Sequence, residues 1–161
     1  MMKNDPMLQL KIHCQDGAIM PQYAYTDDVG LDVTVIRYQC KSKIYFFDTG
    51  LCVEPPDGYY IELLPRSSIV WKGWIMPNSV GVIDPNYRGT LQIPLRWLGE
   101  GGQEQADNQA KALLGERIAQ IIIRPIIKVQ PIQVTQQELS TSDRGQGAFG
   151  SSGTGKSSTD S

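Results

Sequence analysis

The chain has 161 residues, a formal net charge of −2 and 40% hydrophobic residues. That length suits one domain with a sizeable core, and the weakly negative balance excludes a nucleic-acid face built on basic charge. No apolar run is long enough to cross a bilayer, so no membrane partner is expected, and the polar start from Met1 to Pro6 reads as no secretory signal.

In chain order, eight segments rich in β-branched and aromatic residues read as strands: 8–12, 31–37, 43–47, 59–64, 80–83, 91–97, 117–123 and 126–134. Turn signals fall between them, at Asp16-Gly17, Asp48-Thr49-Gly50 and Pro55-Pro56-Asp57-Gly58. Many short strands with regular punctuation predict an all-β sandwich or barrel. The stretch 98–114, rich in Gly, Gln, Glu and Ala, reads as a surface insertion with a short helix over 105–114. With the exposed-looking Trp71-Lys72-Gly73-Trp74, it is a candidate surface for a protein partner. The apolar runs 121–123 and 126–127 fit burial on both faces and contact with another subunit equally well. The division expected is a β domain over 1–139 and a flexible C-terminal arm over 140–161.

Cys14, Cys40 and Cys52 cannot all pair within one chain and lack metal-ligand spacing. Reduced, mostly packed thiols in a cytoplasmic, reducing compartment are therefore expected. The single histidine, His13, lies in an alternating Leu-x-Ile segment and reads as structural. Any chemistry should run without imidazole.

The stretch Gly81-Val82-Ile83-Asp84-Pro85-Asn86-Tyr87-Arg88-Gly89 sets an acid, a ring and a cation close together between two strand-like runs. As the tip of a β-hairpin it would offer a base, a stacking surface and a phosphate partner to one anionic ligand; the plain alternative is a polar turn. Arg66-Ser67-Ser68 offers a guanidinium fork and two hydroxyls, or a helix cap. Asp27, Asp28 and Asp32 precede or open a strand. Carboxylates near phosphate imply Mg²⁺, but the first two fit a solvated turn better. Gln120, inside an apolar run, must find hydrogen-bond partners or position a water. Gly150 to Ser157 matches the phosphate-loop pattern, yet the helix that such a loop requires cannot follow it here. Phe149, a ring in a Gly/Ser tail, suits stacking on a base.

Five stretches taken together resemble one family, the trimeric deoxyuridine triphosphatases (dUTPases). They are Ala24 through Asp32, Pro65-Arg66-Ser67-Ser68, Asn78 through Gly89, Gly115 through Gln120, and Arg144 through Gly153, in the family's order. The resemblance implies a jelly-roll-like β-barrel in a homotrimer, with active sites at subunit interfaces and the C-terminal arm closing over a neighbour's site. It implies hydrolysis of dUTP to dUMP and pyrophosphate with Mg²⁺ on the triphosphate. Asp84 then matches the acid that activates water, and Gln120 the amide that helps hold it. Tyr87 matches the ring against deoxyribose; Asn78, Val82 and Ile83 match the uracil-reading segment, with Gln92 nearby. Arg66, Ser67 and Ser68 match phosphate contacts, and Asp32 a carboxylate that holds Mg²⁺ through water. Arg144, Phe149 and Gly150 match the lid. Departures are Val29, Ala148, Ser152, the long insertion, and Thr90, where an acid or amide is more usual.

Two other readings compete. A dCTP deaminase resembles this fold and also carries an Arg-Ser-Ser stretch, but it needs a glutamate at the pyrimidine ring. A binding or regulatory protein on the same scaffold would lack turnover, against which the intact Asp84, Gln120, Arg66 and Arg144 argue.

Overall fold

The computed structural model describes residues 8–147, so Phe149 and Gly150 lie outside the described residues. The chain divides into two compact units, Met1–Ile127 and Lys128–Ser161. The first is all-β apart from one α-helix and a 3-10 helix.

Its strands are β1 (Lys11–Cys14), β2 (Leu31–Thr34), β3 (Arg37–Lys41), β4 (Ile44–Glu54), β5 (Tyr59–Pro65), β6 (Trp74–Ile75), β7 (Gly81–Ile83), β8 (Thr90–Trp97) and β9 (Arg117–Pro125). One sheet runs β1-β4-β8-β6, with β3 also on β4; the other runs β2-β9-β5-β7. Alternation decides the faces. In the second sheet Val33, Ala119, Ile121, Ile61 and Leu63 point to the core, meeting Tyr45, Phe47, Leu91, Ile93 and Leu95 of the first. Two sheets closed around one core by antiparallel pairing agree with the jelly-roll-like expectation.

The structure corrects several expectations. β7 and β8 do not form a hairpin: β7 pairs with β5 in one sheet and β8 with β4 and β6 in the other. The segment between them, 84–89, therefore crosses from sheet to sheet. Strand 31–37 is broken after Thr34, and β3 follows as a separate partner of β4. No strand forms over 126–134; Pro125 ends β9 and Pro131 has no N–H for a ladder. Cys14 and Cys40 are exposed rather than packed.

The insertion is not a surface ornament. Its helix, α1 (Gly102–Ala112), places Ala106 and Ala110 in the core, and Leu113 follows them there. Gln103, Ala106 and Ala110 recur at helical spacing, so one face turns inward. The Tyr45 hydroxyl donates to Asp107 Oδ1 at 2.5 Å and accepts from Gln103 Nε2. Burial and the Asp107 carboxylate push that phenol well above its usual range, which keeps it a donor. Trp74, 3% exposed, packs edge-on against Tyr45 beside this anchor, whereas Trp71 is 90% exposed.

Candidate active site

The predicted residues fall into separate groups. The first lies on the outer face of the β2-β9-β5-β7 sheet. Asp32 of β2, Gln120 of β9 and Leu64 of β5 are direct cross-strand partners, so their side chains share that face. Asp32 is only 5% exposed because two arginines cover it. Arg66 Nε lies 3.0 Å from its Oδ1, and Arg117 Nη1 3.2 Å from its Oδ2. Arg66 is further fixed by its own N–H to the Ile118 carbonyl and by Nη1 to the Arg117 carbonyl. One carboxylate thus aligns two cations, and the cluster keeps a net positive charge. Ser67 and Ser68, both exposed, open the 3-10 helix Ser67–Lys72 next to Arg66.

Gly30 explains how Gln120 fits. A Cβ at position 30 would collide with the Gln120 amide oxygen. The glycine is the space through which the amide lies across β2, beside Asp32.

Sequence reasoning missed Arg117. A lone charge at the start of a strand reads as solvated; only pairing of β2 with β9 brings it to Asp32. Asp27 and Asp28 stay apart from this cluster, and Asp28 Oδ2 caps the Tyr25 N–H at 2.9 Å.

The second group lies along β7 and the crossing that follows. β7 is the edge of its sheet, so alternate backbone N–H and C=O groups of Val82 and Ile83 face away from β5. Val82 is 64% exposed, and Asn78 stands in the exposed turn before the strand. Beyond Ile83, Asp84 is exposed and opens the expected turn at Pro85-Asn86, closed by Tyr87 N–H to the Asp84 carbonyl at 3.0 Å. The Tyr87 hydroxyl donates to the Thr90 carbonyl. Arg88 pairs with Glu54 at 3.3 Å, which leaves it facing β4 and not an open pocket.

Asp84 and Gln120 lie toward opposite ends of β5 within one protomer. Gln120 is opposite Leu64, and Ile83 is opposite Ile61, so Asp84 continues toward the far end of β5. Four residue steps along β5 and two strand spacings across separate Asp84 from Gln120 by about 16 Å. Among the described residues no hydrogen bond or ion pair joins Asp84, Tyr87 or Asn78 to Asp32, Arg66 or Gln120.

The remaining predicted residues lie elsewhere. Gln92 is on the outer face of the β4-β8 sheet, opposite Asp48, in a hollow of about 220 Å³ lined also by Arg37, Tyr38 and Phe46. Arg144 belongs to the second unit, where its Nε donates to the Gly147 carbonyl at 2.8 Å.

The residues present fit Mg²⁺ held at one remove. Asp32 Oδ2 is buried and makes no hydrogen bond, although Arg117 Nη1 lies 3.2 Å away, so it keeps an acceptor position that a metal-bound water would fill. Among the described residues no three His, Cys, Asp or Glu side chains form a cage.

Comparison with known proteins agrees with this geometry. A family model described as dUTPase matches residues 16–153. A deoxyuridine 5'-triphosphate nucleotidohydrolase of Hydrogenobaculum sp. (strain Y04AAS1) is 36% identical over 146 residues, covering 86% of this chain and 93% of that protein. The same-named protein of Clostridium acetobutylicum is 36% identical over 151 residues, covering 91% and 98%. Among solved structures, the Staphylococcus bacteriophage 80alpha dUTPase with dUPNHPP superposes with a TM-score of 0.71 at 26% identity, covering 91% of this chain and 99% of that one. With the matched stretch spanning both groups of site residues, the chain belongs to the dUTPase family.

Proposed function

We propose that this chain hydrolyses dUTP to dUMP and pyrophosphate, limiting uracil incorporation into DNA and supplying dUMP for dTMP synthesis. The observation that carries the reading is the Asp32-Arg66-Arg117 cluster beside Gln120, a cationic cradle with a free amide next to it. Family membership supplies the substrate.

Water attacks the α-phosphorus, the bond from that phosphorus to the bridging oxygen breaks, and pyrophosphate leaves. Asp84 takes the water's proton, and Gln120 fixes the water's direction. Since the two are about 16 Å apart in one protomer, they act on one water only when supplied by different copies. The strand polarity therefore supports sites between subunits, as in the homotrimer that the resemblance implies. Arg66, Arg117, Ser67 and Ser68 receive the phosphates, and their charge stabilises the leaving group. Asp32 holds both arginines, and its Oδ2, which makes no hydrogen bond, would accept one from a water on Mg²⁺. Mg²⁺, when bound, would neutralise charge on the triphosphate. The free edge of β7 and Asn78 read uracil, and the Tyr87 ring closes the space that a ribose 2′-hydroxyl would need. Arg144, Phe149 and Gly150 close the site as a lid carried by the arm over 140–161.

Incubation with dUTP and with dCTP, followed by product chromatography, tests the reading. dUMP and pyrophosphate from dUTP, with dCTP untouched, are expected. Deamination of dCTP, or binding of dUTP without pyrophosphate release, would overturn it.

A further inference from the structure

The Tyr87 ring is 43% exposed and is held at its hydroxyl, which donates to the Thr90 carbonyl at 3.0 Å. The neighbouring glycine is matched to it, since a Cβ on Gly89 would collide with the phenol end. The orientation of the ring is thus only as well fixed as Thr90. Thr90 opens β8, and its Oγ1 donates to Asp48 Oδ2 at 3.1 Å.

Asp48 is a dense hub. Its side chain is 13% exposed; Oδ1 accepts the Gly50 N–H at 2.7 Å, and Oδ2 accepts Arg37 Nε at 3.1 Å. A bulge creates the arrangement. β4 takes four residue steps from Asp48 to Cys52 where β8 takes two, from Gln92 to Thr90. Such bulges bend a strand and re-aim its side chains. Gly50, at φ +68°, makes this one feasible, since a Cβ there would press on Ile36 and Ala18. Thr49, fully buried, closes it by donating from Oγ1 to the Leu91 carbonyl at 3.0 Å. The bulge turns the Asp48 carboxylate toward Thr90, two residues short of its register partner Gln92.

We propose that Asp48 is a positioning residue for the sugar end of the site: through Thr90 it fixes the Tyr87 ring, and so sets how strongly the site rejects a ribonucleotide. The proposal rests on the reading of Tyr87 given above. Steric rejection of a single hydroxyl depends on the placement of one ring face, and a loosened ring yields that space readily. The Thr90 hydroxyl-to-Asp48 link ties the crossing to β4.

The test compares kcat/KM for UTP and dUTP in the full chain. Thr90→Val removes the donor at nearly constant shape and should raise the UTP-to-dUTP ratio about tenfold. Thr90→Ser keeps the hydroxyl and should restore the wild-type ratio, an outcome that a purely structural role would not give. Thr90→Val carries the test because Asp48→Ala strips three bonds from the bulge and endangers the fold, which melting curves monitor. Tyr87→Ala separates the two layers of the argument. If it raises the ratio while Thr90→Val leaves it at wild type, the Asp48-Thr90 link is overturned and the Tyr87 assignment stands. If Tyr87→Ala leaves the ratio unchanged, the Tyr87 assignment falls, and the proposal with it.

Discussion

Strand polarity makes a quantitative prediction about mixed assemblies. Asp84→Asn removes the proton acceptor, and Arg66→Ala removes a phosphate contact; each variant alone should lose most turnover. In one protomer these residues lie toward opposite ends of β5, with Arg66 just past Pro65 and Asp84 beyond the Ile61-Ile83 pair. A site that draws Asp84 from one subunit and Arg66 from the next is rebuilt wherever an Arg66→Ala chain donates the acid to an Asp84→Asn chain. In a cyclic trimer that holds both variants, one of the three interfaces carries the intact pair in the working order, so activity should return to about one third of wild type. The assay is pyrophosphate release after co-expression of differently tagged variants and purification through both tags. If each site were built within one chain, every site would carry one lesion. Tagged mixed oligomers no more active than the parent variants would refute the reasoning.

Other outcomes follow from the same geometry. Arg117→Ala should raise the KM for dUTP and cut kcat/KM by about 10-fold to 100-fold, because the cradle loses a cation and Asp32 loses a partner; unchanged steady-state kinetics would remove Arg117 from the site. Leu113→Ala should cost about 3 kcal/mol in denaturant unfolding, since Leu113 is 2% exposed in the core; a change near zero would return the insertion to the surface. Hydrogen bonds from Lys11, Arg124 and Tyr45 hold Glu54, Glu62 and Asp107 below their ordinary values of 4.5, 4.5 and 3.8. Groups depressed in the folded state contribute stability above those ordinary values and lose it as pH falls through the lower folded ones. The melting temperature should therefore be flat near neutrality and fall on acidification below about pH 4.5, less steeply in Asp107→Asn; a melting temperature that rises on acidification would contradict the assignment.

Local patterns in the sequence were enough for the strands that alternate strongly. The segments 59–64, 91–97 and 117–123 match β5, β8 and β9 closely, because one buried face forces a two-residue period. Pairing was not legible. The period gives a face but no partner, so the pattern suggests a hairpin where β7 and β8 in fact enter different sheets. β6 is two residues long and leaves no periodic trace. The segment of α1 reads as surface because its inward face is built from alanines, whose apolar signal is faint against Gln, Glu, Asp and Lys. At the candidate site, the resemblance points to Asp32, Arg66 and Gln120, and the structure makes them neighbours. Arg117, Gly30 and Asp48 were not found, since each acts through a partner that only tertiary pairing supplies.

The opposed ends of β5 also bear on when the protein can work at all. On the proposed reading a newly made chain faces no complete arrangement of the catalytic groups, so it would not consume nucleotide before it has found its companions. Turnover then reports association: specific activity should decline on dilution below the subunit dissociation constant, and an altered chain that still associates would silence healthy neighbours.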